Sequence, residues 1–70
     1  MDKTLFMAIV RDSAIETTVS NLLMAGLLLP GEEAVFMGRL TRMNDLELTE
    51  QLRASRLLLN HYLENRWSKN

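Results

Sequence analysis

Apolar residues recur along this chain at the spacing of an amphipathic helix. The longest such run, from Leu46 to Trp67 (LELTEQLRASRLLLNHYLENRW), holds no Gly or Pro. At ~100° per residue, Leu48, Leu52, Leu59, Tyr62 and Leu63 fall in one narrow sector, with Ser55 among them. That sector predicts a buried stripe consumed by the fold, with Leu59 at its centre. Ala54 and Leu58 sit on one shoulder, while Thr49, Arg53, Arg56, Asn60 and Trp67 line the other edge. Leu46 and Leu57 fall on nearly the opposite side, beside Glu50 and Glu64. A helix with apolar residues on two sides needs two partners: the rest of its own chain and, through Leu46 and Leu57, a second chain. Asn44 and Glu47 have the spacing of a capping box and mark the start of this helix. Arg66 and Lys69 lie near its other end, where cations complement the exposed carbonyls.

Upstream, Ser13-Ala-Ile-Glu16 also has capping-box spacing. Ile15, Val19, Leu22, Leu23, Gly26 and Leu29 then share one helical face, and Thr17, Ser20 and Asn21 lie opposite. Small polar residues there fit either solvent exposure or close helix–helix approach; exposure is favoured, because Thr and Ser are mostly exposed in soluble proteins. Residues 1–10 read as a short strand or as helical turns, and periodicity does not separate the two in so short a run. A lone strand in a helical chain would need a partner from elsewhere, which favours helix. Such a helix would drift about a quarter turn from the Ile15 stripe, so a bend or break is expected near Asp12–Ser13. Gly26, then Leu-Leu-Leu-Pro30-Gly31, ends this helix, and Glu32 and Glu33 suit the positive end of the next. Phe36, Leu40 and Met43 form its stripe, with Met37 alongside. This stripe is out of phase with the one after Asn44. A break at Asn44–Asp45 reconciles them; the alternative is one long helix from Glu32 to Trp67. The fold expected is all-α, a helical hairpin or three-helix unit.

Seventy residues make one small domain, 1–70. A chain of this length buries only about 60% of its unfolded surface, and without Cys no disulfide or thiolate metal site staples it. Small apolar-rich chains of this kind are commonly stabilised by association, and a homodimer is the expected form. Net charge is −1 and the isoelectric point 5.7, unlike the basic balance of a nucleic-acid binder. Asp2 and Lys3 precede a short apolar run that stops at Arg11 and Asp12, which is not a signal peptide. The uncharged run Thr17–Gly31 falls short of the ~20 residues that span a bilayer. A cytoplasmic protein with no membrane segment is expected.

Little in the chain points to chemistry. His61 is the single histidine, with Glu64 three residues on, and no Ser or Cys stands in a recognisable nucleophile turn. Gly26, Gly31 and Gly38 are too scattered for a phosphate loop. Acidic pairs sit at helix starts, where they complement the helix dipole. No enzymatic activity, cofactor or metal is expected. The arginines carry more information: five of the six lie between Arg39 and Arg66. Arg53, Arg56, Asn60 and Trp67 share one helix edge, and Trp and Arg are enriched in interface hot spots. That edge is the expected partner-binding surface. The plainer reading is a solvated edge with Arg53 paired to Glu50. A small helix-turn-helix DNA-binding regulator is the other candidate, with Pro30-Gly31 as the turn and Ala34–Met43 as the reading helix. Only Arg39, Thr41 and Arg42 would read there, behind two Glu that repel phosphates.

The segments SAIETTVSNLLMAGLLLPGEEAVF and QLRASRLLLNHYLENRW resemble small phage-encoded quorum-sensing anti-activators. The resemblance is one of overall pattern and size, without a short diagnostic motif. It implies a helical, dimeric inhibitor that binds a LuxR-type transcription regulator, such as LasR, in the host cytoplasm and blocks its engagement with DNA. It implies the pilus assembly ATPase as a further partner. AGLLLPGEE also resembles a helix-to-strand turn of some DNA-modification-associated domains, which would make residues 34–36 a strand.

Overall fold

A computed structural model of the chain describes the backbone of residues 3–68 and the side chains of residues 9–66. The fold is all-α: α1 (Lys3–Met24), a 3-10 turn (Pro30–Glu32), α2 (Glu33–Arg42) and α3 (Asp45–Ser68). Among the described residues there is no strand, and residues 34–36 lie within α2.

The expected break at Asp12–Ser13 does not occur. The helix α1 runs unbroken through both residues. Asp and Ser cost a helix interior only a few tenths of a kcal/mol, and no Gly or Pro forces a stop. The end of α1 falls where the sequence places it, at Gly26, whose φ of 73° is open to glycine at little cost. The Gly26 amide donates to the Leu23 carbonyl and the Leu27 amide to the Leu22 carbonyl, which is the paired bonding of a Schellman cap.

Pro30 then opens the 3-10 turn. The Glu32 amide donates to the Leu29 carbonyl, while the Glu32 carboxylate accepts from the Leu29 amide at 3.1 Å. The second break falls at Met43–Asn44, so α2 and α3 are separate helices. Asn44 and Glu47 form a reciprocal capping box: the Glu47 amide donates to Asn44 Oδ1 at 2.8 Å, and Glu47 Oε1 accepts from the Asn44 amide at 3.3 Å.

Two contacts fix how the long helices lie. Arg11 reaches Asp45 and Asn21 reaches Ser55. Both pairs have the same sequence offset, so α1 and α3 are parallel and pack directly on each other, and α2 packs on α1. The core is Ile15, Val19, Leu40 and Leu48, with Ala14, Leu23, Leu28, Phe36 and Met43 packed around it. Leu40 is fully enclosed, and its partners come from all three helices.

The same offset places Met24, near the end of α1, at the level of Leu58. Beyond that level α3 has no α1 beside it. The stripe read from the sequence is therefore buried in its first half, at Leu48 and Ser55, and open in its second. Tyr62 and Leu63 are each 38% exposed, and Leu59 is only partly covered. The expectation that Leu59 sits at the buried centre, and that the whole stripe is consumed by the fold, is corrected accordingly. A periodic pattern fixes which face of a helix turns inward, but not how far along the neighbouring helix extends.

Candidate functional site

Part of the α1/α3 contact is polar. Thr18 and Ser55 are buried and Asn21 nearly so. Asn21 Nδ2 donates to Ser55 Oγ at 3.2 Å, Ser55 Oγ donates to the Leu52 carbonyl at 2.7 Å, and Thr18 Oγ1 donates to the Ala14 carbonyl at 2.7 Å. The side chains here are small, and both hydroxyls are spent on a bond. Of the three residues expected to face solvent, Ser20 does, Thr17 is half-buried and Asn21 is an interhelical contact. The close-approach reading therefore holds at Asn21.

On the side away from α2, the same two helices leave a groove. Ile9, Val10, Ser13, Ala14 and Thr17 of α1 face Leu52 and Arg56 of α3 across about 350 Å³. A second depression of about 370 Å³ adjoins it on α3, formed by Thr49, Leu52, Arg53, Arg56 and Leu57. Leu52 and Arg56 belong to both, so the two form one continuous surface with an apolar floor and a guanidinium edge. Ile9 and Val10 are about half-exposed within it. Among the described residues, neither Arg53 nor Arg56 has a hydrogen-bond or ion-pair partner. The Arg53–Glu50 pairing is thus not formed, and both guanidinium groups are available.

Arg53, Arg56 and Asn60 are exposed along one edge of α3, while the Trp67 side chain lies outside the described residues. Leu46 and Leu57 are 69% and 63% exposed on the outer face of α3, away from the core. His61 exchanges a hydrogen bond with Asn65 at 3.1 Å. A third hollow, about 220 Å³, lies beside the 3-10 turn between Leu28, Gly31, Glu32, Val35, Phe36 and Arg39. Ile9 and Val10 were not singled out as binding residues in the sequence. Only the pairing of α1 with α3 brings them beside Arg56, and a periodic pattern does not encode that pairing.

Comparison with protein families, curated proteins and solved structures finds no match to this chain.

Proposed function

We propose that this chain is a small non-enzymatic binding module that grips another protein along the α1/α3 groove. The observation that carries the reading is the combination of an apolar floor at Ile9, Val10 and Leu52 with the unpartnered Arg53 and Arg56 at its edge. A groove between two helices suits an amphipathic helical segment. Arg guanidinium groups add bidentate pairing with carboxylates or stacking on aromatic rings. The resemblance to phage anti-activators directs this reading to a LuxR-type transcription regulator in the host cytoplasm, with the pilus assembly ATPase as a second partner. Occupying the regulator would then block its DNA contacts by occlusion, since a net charge of −1 makes a poor imitation of a duplex. No helix among the described residues is long and apolar enough to cross a membrane, which is compatible with action on such a partner.

The test is the double substitution Arg53→Ala with Arg56→Ala, measured by calorimetry against the purified regulator. Ala is well tolerated on an exposed helix edge, so the circular dichroism spectrum should not change. Binding should weaken by about 2 kcal/mol or more if the pair are hot spots. Unchanged affinity would move the site elsewhere. A gel shift on mixed DNA separates the helix-turn-helix alternative: tight binding that falls steeply with salt would favour that alternative.

A further inference from the structure

The α1/α3 surface carries its charge at one end. The sequence offset shared by the Arg11–Asp45 and Asn21–Ser55 contacts sets Ile9 and Val10 level with the start of α3. The same offset sets Arg53 and Arg56 level with Val19 and Leu22 of α1. At 1.5 Å per residue the surface from Ile9 to Arg56 therefore runs about 20 Å along the helices. Its first part is apolar and half-exposed, at Ile9 and Val10, and Leu52 continues it on α3. Arg53 and Arg56 are the only ionisable side chains lining the two depressions. The surface thus holds two positive charges and no carboxylate, on a chain whose net charge is −1.

We propose that this surface takes an acidic amphipathic helix of its partner, whose apolar side chains seat on Ile9, Val10 and Leu52 while two carboxylates one turn apart pair with Arg53 and Arg56. The proposal rests on the reading of the groove as a binding surface and adds the chemistry of the segment bound. Arg53 and Arg56 are three positions apart on one helix, which sets their Cβ atoms about 5–6 Å from each other. Carboxylates at i and i+3 or i and i+4 of a second helix have the same spacing. A segment laid across the pair removes water from two like charges, and that is costly unless countercharges take its place. Aromatic rings would cover the guanidinium faces but leave their N–H donors without acceptors. Carboxylates supply both the charge and the acceptors, in paired bonds. Phosphates would supply them too, but a surface that tracks a nucleic-acid backbone is cationic along its length, and here the remainder is apolar. On α1, exposed Glu16 lies two turns from Ile9 on the same outer face. It repels acids there, so the acidic part of the segment is drawn to the α3 end.

The test is selection from a displayed library of helical peptides about 14 residues long, enough to cover about 20 Å, against the intact chain. The segments recovered should combine an apolar stripe with Asp or Glu at i, i+3 or i, i+4 near one end. A synthetic peptide of the recovered sequence, followed by fluorescence anisotropy, should bind more weakly as salt is raised. Its affinity should fall roughly 30-fold or more for the combined Arg53→Glu and Arg56→Glu variant, the scale of hot-spot side chains. Placing Lys at the acidic positions of the peptide should restore binding to that variant. If the charge-reversed chain does not fold, Arg53→Gln with Arg56→Gln should give the same loss. Recovery of neutral, aromatic or basic segments would overturn the proposal, as would recovery of none or an affinity unchanged by either double variant. So would binding of the unaltered chain to vesicles of anionic lipid that the charge reversal abolishes, which would assign the surface to a membrane. The two readings fail separately. A regulator that does not bind removes that partner and leaves the peptide selection to decide, whereas selection of uncharged segments removes the acidic helix and leaves the groove a binding surface.

Discussion

Arg11 does more for this fold than its position in the sequence announces. It ends an apolar run, and as a charge in a chain it carries no pattern. In the structure its guanidinium bonds to the carbonyls of Thr41 and Met43 and to Asp45 Oδ1, the last at 2.7 Å. It therefore satisfies carbonyls at the end of α2 that no helical amide can reach and ties them to the first residue of α3. The ion pair is the lesser part, because the Asp45 side chain is 66% exposed and such pairs contribute little. The carbonyl contacts matter more, since removing Arg11 leaves them to water. Arg11→Ala should destabilise the protein by about 1–3 kcal/mol, read as a lower urea midpoint. Asp45→Asn should cost much less. Equal costs for the two would show that the ion pair, and not the carbonyl contacts, is what Arg11 supplies.

Among the elements, the boundaries fall where local chemistry is strongest. The capping box at Asn44 and Glu47 was legible because its two residue types and their spacing are themselves the mechanism. The same spacing at Ser13 and Glu16 misled. A capping box ends the preceding helix only if the chain before it is not already helical, and here α1 arrives from upstream with its amides bonded. The Phe36, Leu40 and Met43 stripe was legible because α2 is short and packs along its whole length. The α3 stripe was half legible, since its direction is local and its cover is not. Asn44→Ala tests the first of these points. It removes the acceptor for the Glu47 amide, and losing such a cap costs about 0.5–2 kcal/mol. Thermal melting followed by circular dichroism should show the loss. Ser13→Ala should leave the melt unchanged or slightly raise it, because Ala is the better residue inside a helix. A fall at Ser13→Ala as large as at Asn44→Ala would restore a helix start there.

For the whole molecule, stability is concentrated at one level along the long axis, which extends 51 Å. Ile15, Val19, Leu40 and Leu48 close the core where all three helices overlap, and the polar contact of Asn21 with Ser55 lies just above it. Past Leu58 a single helix continues. Local opening follows local cover, so the amides of one continuous helix should fall into two classes. In α3, amides from Leu48 through Ser55 should exchange only through global unfolding. Those from Leu59 onward should exchange far faster when the protein is dilute. The position of the step, near Leu58, follows from where α1 ends and not from any change in helix propensity, because Leu57, Leu58 and Leu59 are all good helix formers. Hydrogen–deuterium exchange with peptide mass spectrometry resolves the two classes. Uniform protection along α3 in the dilute sample would mean that its end is held by something within the chain, and the division of the helix into covered and uncovered halves would fail.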